Sequence, residues 1–228
     1  MLEKSFKHGI FKEELKNRFL CLVEIDDEDT LCYIPSSCRL SNFIDLTGRE
    51  VLVSPVLSPA ARTRYSVYAL SGDHGFILLN MSKANEAVAD SISSRRFSFL
   101  GKRTLVKKEY KVSGYKSDLY IEDTKTVVEI KSILSFAKGR EAQFPSVYSQ
   151  RAIDQLIKLR CLLDEGYRVS YIFVSLNPSI KQLAINEEIE EFWGAFNCCI
   201  EKGMMVKGVS LKLMDGEPII YSSMPVRI

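Results

Sequence analysis

The stretch from Asp118 to Lys131, DLYIEDTKTVVEIK, holds the side chains from which a hydrolytic site is commonly built: two carboxylates, Asp118 and Glu129, and an ammonium at Lys131. Two short strand-like runs, 119–121 and 126–130, flank a polar turn at 122–125, which is the pattern of a β-hairpin. Side chains alternate faces along a strand, so Val127, Glu129 and Lys131 share one face while Val128 and Ile130 take the other. A turn with an even number of residues sets Asp118 across from Glu129 on that face, within ~5 Å at Cβ; an odd one separates them. Carboxylates held this close repel each other unless a cation lies between them, as when a hard divalent ion such as Mg²⁺ or Mn²⁺ is bound by few carboxylates and several waters. Lys131 then steadies a developing negative charge or positions a water. The same residues also fit a solvated strand face preceded by ordinary turn chemistry.

Around the hairpin the charge is uneven. The net charge of +2 conceals a middle segment, residues 83–111, with 8 basic and 3 acidic side chains, against 9 and 11 in residues 1–82 and 14 and 15 in residues 112–228. Arg95, Arg96, Lys102, Arg103, Lys107, Lys108 and Lys111 alternate there with Phe97, Phe99 and Tyr110. Such a run suits a surface that tracks phosphates, because phosphate contacts supply most sequence-independent affinity for nucleic acid; it also suits a solvated connector.

The rest of the chain has to position these groups. Residues 17–25, 30–35, 50–56, 64–70 and 76–79 read as five short strands, enough for a small closed barrel. In that barrel Arg39, Arg62, Arg64, Phe43 and Tyr65 are candidates for an oligonucleotide surface, or else solvated cations and core aromatics. His74, in a Gly-flanked turn, reads as a turn residue. Ala84, Ala87, Val88 and Ile92 recur at helical spacing and predict a helix packed between the two halves. After the hairpin, residues 135–141 read as a loop and residues 149–165 as a helix ended by Gly166 that covers the sheet. Residues 168–176 form a buried strand, 186–202 a helix with acids in its first half, and 205–221 a last hairpin. Gln150, Arg151 and Gln155 on the second helix reach toward a phosphate near the carboxylates.

Composition excludes several classes. Hydrophobic content of 46% and charged content of 26% are those of an ordinary globular protein, and no apolar run approaches the roughly 20 residues that span a bilayer. The first sixteen residues carry charges throughout and no apolar signal core, so a cytoplasmic protein without a membrane partner is expected. Six cysteines without a C-x-x-C pair and only two histidines, His8 and His74, argue against structural zinc and against a histidine base.

Lys107-Lys108-Glu109, Gly114, Asp118, the run from Val128 to Ser132, Phe144-Pro145, Ser149 and Arg151 together resemble the sugar fermentation stimulation protein A family. The resemblance implies a mixed α+β chain of α/β class, with an N-terminal OB-like β-barrel over residues 1–82 that binds nucleic acid. A PD-(D/E)xK restriction-endonuclease-like α/β domain follows over residues 83–228. It implies that Asp118, Glu129 and Lys131 match the nuclease signature, with Glu109 the upstream acid that completes a metal shell with Asp118 and Glu129. Two stretches depart from the family: its Asn-Thr-Gly loop is Ser36-Ser37-Cys38 here, and its FPDAPT-x-RG is FPSVYSQRA, where Phe144, Pro145 and Arg151 survive.

Three functions are compatible with this reading. The first is a Mg²⁺- or Mn²⁺-dependent nuclease acting on DNA or RNA, with DNA preferred. The second is a non-catalytic DNA-binding protein tied to the regulation of sugar metabolism, and the third is an interaction protein with a solvated basic run.

Overall fold

The computed structural model describes residues 6–35, 39–136 and 139–228, so the Ser36-Ser37-Cys38 loop lies outside the described residues. The N-terminal half is all β: β1 Lys7–Glu14, β2 Leu20–Ile25, β3 Glu28–Tyr33, β4 Glu50–Pro55, β5 Tyr65–Gly72 and β6 Gly75–Leu78. Strand order β3-β2-β1-β4-β5-β6, with an added parallel β3–β5 pairing, closes β1 to β5 into a five-stranded barrel. The inward alternation of Cys21, Val23 and Ile25 with Val51, Val53 and Val67 builds its core. Cys21 and Cys32 pair across the ladder in this core as free thiols, and burial holds both above the ordinary thiol range, Cys32 at about 12. They behave as small apolar residues.

Strand β1 is a departure from the sequence reading. Its inward positions are Gly9 and Phe11, among charged neighbours, so the apolar period that marks a strand is nearly absent. Glycine is needed there because a Cβ would meet Val23 Cγ1 at 2.6 Å and the Glu24 carbonyl oxygen at 2.8 Å. The barrel accordingly contains β1, and the run 76–79 is an outer strand, β6, hydrogen-bonded to β5.

Helix α1, Ser82–Ser91, joins the halves. Ala84, Ala87 and Val88 pack in a core shared by barrel residues such as Tyr68 and Leu78 and by sheet residues such as Val128, Ile130 and Ile172, as the helical spacing predicts. The second half begins with β7 Val106–Lys108, β8 Lys111–Val112, β9 Tyr115–Lys116, β10 Leu119–Ile121 and β11 Thr126–Ile133. It continues through β12 Glu141–Phe144, α2 Gln150–Asp164, β13 Arg168–Ser175, β14 Gln182–Ile185 and α3 Glu190–Glu201, and ends with β15 Met205–Met214, β16 Glu217–Met224 and β17 Val226–Arg227.

Six strands in the order β16-β15-β13-β11-β10-β7 form a mixed sheet in which β11, β13 and β15 run parallel. Helices α2 and α3 cover one face through Leu156, Leu159, Phe192 and Phe196, while α1 and the barrel cover the other. Burial on both faces explains the continuous apolar run of β13. Strands β12, β14 and β17 pair in a small parallel sheet at the side.

Candidate active site

The β10–β11 hairpin puts its two carboxylates together by register. Leu119 pairs with Val128, Tyr120 with Val127 and Ile121 with Thr126, across a four-residue turn formed by a 3-10 segment and by Lys125 in the left-handed region. One step further, Asp118 falls opposite Glu129. There the backbone ladder stops, and the Asp118 side chain takes the next position: its Oδ2 accepts from the Ile130 N–H at 2.7 Å and its Oδ1 from Asn85 Nδ2 of α1 at 2.8 Å. Asp118 is thereby fixed by strand and helix at once.

Glu129 is 3% exposed. Its Oε1 accepts from Lys131 Nζ at 2.6 Å and from Gln155 Nε2 at 3.1 Å, and its Oε2 accepts from the Tyr115 hydroxyl at 2.5 Å. Lys131 Nζ also donates to Gln155 Oε1 at 2.6 Å. Tyr115 arrives on the short β8–β9 hairpin, whose turn residues Ser113 and Gly114 both have positive φ, 43° and 81°, as a tight two-residue hairpin requires. Tyr171, in register with Glu129 on β13, is fully buried, and its hydroxyl has no hydrogen-bond partner among the described residues.

Tyr115, Asp118, Glu129 and Lys131 line one side of a cleft of about 730 Å³. Helix α2 forms the opposite wall with Gln150, Arg151, Asp154, Gln155 and Lys158, one face of the helix, its other face being locked into the core by Ile153, Leu156 and Leu159. Its start is fixed by Ser149, whose hydroxyl oxygen accepts from the Ala152 N–H at 3.3 Å.

The electrostatics follow from burial. Desolvation first, and then the neighbouring Glu129 charge, push the Asp118 carboxyl up to about 6, against the opposing pull of the Ile130 N–H, Lys131 and Asn85. Burial, and next the Glu129 carboxylate, hold the Tyr115 phenol well above its ordinary value, so it stays a proton donor to Glu129. At its floor the cleft thus sets two acids, Asp118 and Glu129, beside one partly buried ammonium, Lys131, while Glu109, Asp154, Arg151 and Lys158 line its more open sides.

Glu109 takes another position. It precedes β8 in a left-handed conformation, φ 49°, at the rim of the cleft, with its carboxylate on Lys116 at 3.0 Å; its backbone N–H donates to the Asp118 carbonyl at 2.9 Å. Among the described residues no three acidic, histidine or cysteine side chains come close enough to hold a metal together. The three carboxylates expected together are therefore not gathered: Asp118 and Glu129 are neighbours, while Glu109 contributes backbone support and a charge at the rim.

The cations proposed for nucleic acid are dispersed. Arg151 lies exposed at the cleft wall. Arg39 donates to the Leu15 and Lys16 carbonyls at 2.8 and 3.0 Å. Arg96 donates to the Ile220 and Tyr221 carbonyls at 2.7 and 3.3 Å, and Arg103 to the Ile92 carbonyl at 2.8 Å and to that of Gly101. Lys102, Lys107 and Lys108 pair with Asp123, Glu122 and Asp90 at 3.4, 2.8 and 3.7 Å. Arg62 and Arg64 are exposed between β4 and β5, and Arg95 is exposed beside Lys207. The sequence reading passed over Asn85, Tyr115 and Tyr171 as site residues. Tyr115 had a local signal, since it follows Gly114 three residues before Asp118; Tyr171 lies in an apolar run where nothing distinguishes it.

Residues 82–217 match the family model "Sugar fermentation stimulation protein RE domain", and residues 15–79 match "SfsA N-terminal OB domain". A sugar fermentation stimulation protein homolog of Ruminiclostridium cellulolyticum is 25% identical over 232 residues, covering 100% of both chains. A homolog of Caldanaerobacter subterraneus subsp. tengcongensis is 28% identical over 191 residues, 82% of each chain. The solved structure of Pyrococcus furiosus SfsA in complex with Ca²⁺ superposes with a TM-score of 0.82 at 21% identity, covering 100% of this chain and 98% of that one. No helix among the described residues is long and apolar enough to cross a membrane.

Proposed function

This chain belongs to the sugar fermentation stimulation protein family, and from that premise we propose that it is a divalent-metal-dependent nuclease of the PD-(D/E)xK kind that hydrolyses phosphodiesters of DNA or RNA. The observation that carries the reading is the Asp118 carboxyl, held by two hydrogen bonds in a cleft beside Glu129 and raised in proton affinity to about 6, first by burial and then by the Glu129 charge. Two carboxylates in a roomy polar cleft fit Mg²⁺ or Mn²⁺, which is commonly held by one or two carboxylates and completed by water. The Pyrococcus furiosus relative, solved with Ca²⁺, supports a place for a divalent ion in this fold.

When bound, such an ion supplies Lewis-acid activation of a phosphoryl oxygen and of a water. The chain's own residues supply the rest. Asp118 and Glu129 concentrate negative charge on one face of the cleft. The Lys131 ammonium, fixed between Glu129 and Gln155, offers a charge for the oxygens that become more negative in the transition state. Tyr115 and Gln155 hold the Glu129 carboxylate in one orientation, and Arg151 opposite can pair with a flanking phosphate. Separate Asp118→Asn and Lys131→Ala variants test the assignment: each is expected to abolish Mg²⁺- or Mn²⁺-dependent cleavage of a labelled polynucleotide with binding nearly intact, and full activity in both rules it out.

One observation favours a second reading, a nucleic-acid-binding protein that does not cut: both Glu129 oxygens are already engaged, by Tyr115, Lys131 and Gln155. Binding that falls steeply with salt, together with no cleavage under any divalent ion, establishes that alternative.

A further inference from the structure

A second charged hollow lies where the barrel meets the α/β half, and it shares no residue with the carboxylate cleft. It encloses about 350 Å³ and is lined by His74, Arg140, Pro178, Lys181, Lys212 and Tyr221. His74 comes from the β5–β6 turn of the barrel, Arg140 and Lys181 precede β12 and β14, and Lys212 and Tyr221 stand on β15 and β16. Three fixed positive charges thus converge from separate elements, and none of the six residues is acidic.

The convergence is held by structure. The β15–β16 ladder slips between Ser210 and Leu211, pairing Ser210 with Ser222 and Leu211 with Ile220, so Tyr221 is left over as a bulge residue. Bulges re-aim side chains, and here the bulge presents the Tyr221 ring with its backbone carbonyl held by Arg96. Lys181 and Lys212 both stand over that ring, with Nζ 5.0 and 5.3 Å from its centroid. Lys181 Nζ is tied to the Pro178 carbonyl at 2.8 Å, and the Arg140 carbonyl accepts from the Lys181 and Gln182 N–H groups at 2.7 and 3.1 Å. Among the described residues none of the three cations forms an ion pair with a carboxylate. Like charges gathered in one hollow repel, and the repulsion is relieved when an anion shared by them enters it.

We propose that this hollow binds a small phosphorylated polyanion through its phosphoryl oxygens, with Lys181, Lys212 and Arg140 as the charge partners and Tyr221 as the aromatic wall. Its volume lies within the range of about 300–1,000 Å³ usual for small-molecule sites, and several cations matched to one ligand favour a group with at least two negative charges. The site draws residues from both halves of the chain, so its ligand bridges them. The proposal is independent of the nuclease reading.

The probe is inorganic pyrophosphate, titrated calorimetrically into metal-free full-length protein. Binding is expected in wild type, to weaken at least tenfold in Lys181→Ala/Lys212→Ala, and to persist in Asp118→Asn. Lys212→Gln, which keeps most of the side-chain stem, is expected to weaken it severalfold, with a wild-type thermal midpoint to show that the variant is folded. Absence of pyrophosphate binding in wild type, or unchanged affinity in the folded variants, overturns the proposal. A parallel arm uses a single-stranded oligonucleotide without terminal phosphates: the variants are expected to bind it as wild type does. If they lose the oligonucleotide and retain pyrophosphate, the hollow is a polynucleotide contact and the small-anion proposal fails.

Discussion

The acid hairpin and the basic segment before it are neighbours in sequence, yet the fold treats them oppositely. In the hairpin a period of two and an even turn bring Asp118 and Glu129 to one cleft, and Asn85, Tyr115, Lys131 and Gln155 each donate a bond to one of those two carboxylates. In the basic segment Arg96 and Arg103 spend their guanidinium groups on backbone carbonyls, and Lys102, Lys107 and Lys108 pair with acids. Strand register is a geometric constraint, while charge density along a sequence says nothing about direction. Bonding therefore converges on one cleft where spacing is the signal, while the cations of the basic segment are spent on separate carbonyls and surface acids.

The largest expected effect is on catalysis. Asp118→Asn removes one of the two carboxylates while preserving the hydrogen-bond acceptor for Ile130, and cleavage is expected to fall by roughly 10²–10³-fold or more, measured as single-turnover rate with saturating Mn²⁺; Arg103→Ala, tested alongside, is expected to leave the rate per folded molecule unchanged. Equal losses in both variants erase the distinction between the two regions.

Next in size is stability at Lys131. Among the described residues its ammonium is the single cation bonded to the buried Glu129, and removing one partner of a buried pair costs about 3–5 kcal/mol. Lys131→Met is expected to lose somewhat less, about 2–3 kcal/mol in urea unfolding, because Tyr115 and Gln155 still satisfy the carboxylate.

A smaller effect separates bracing from binding cations. Arg103→Ala is expected to cost about 2 kcal/mol of stability through its lost charged bonds to carbonyls. Arg151→Ala is expected to cost nearly none and to lower the slope of log K against log salt by about 1 in nucleic-acid binding.

The smallest effect is a pH dependence. Asp118 binds its proton more tightly in the folded protein than its ordinary value allows, so this group favours the fold fully below pH about 4 and loses that contribution as pH rises through about 6. In chelator-treated protein, Asp118→Asn is therefore expected to gain about 1–2 kcal/mol over wild type at pH 7.5 and nothing at pH 4, checked by denaturant midpoints at both.

How much was legible in the sequence follows the same division. The hairpin, the three helices and the β13 run carry regular apolar periods, and the structure contains each of them. Strand β1 was hidden because a glycine fills one of its two inward positions, and β12, β14 and β17 because parallel pairings of only four and two residues leave no local period. Helix α3 starts at Glu190, later than the acidic run suggests, because Asn186 is held to the Phe144 carbonyl and its side-chain oxygen accepts from the Glu188 N–H in a turn before the helix. Within the site the strand residues were readable; Asn85 was not, because its bond to Asp118 spans 33 positions and depends on where α1 docks. Glu109 carried the right chemistry for the cleft but points to Lys116, a consequence of one left-handed backbone angle.

The most direct measurement is the anomalous signal from a crystal soaked in Mn²⁺. The account predicts a peak between the Asp118 and Glu129 carboxylates, in contact with an oxygen of each. A soaked crystal with no peak in that cleft, and with the Asn85–Asp118 and Tyr115–Glu129 bonds undisturbed, would contradict it.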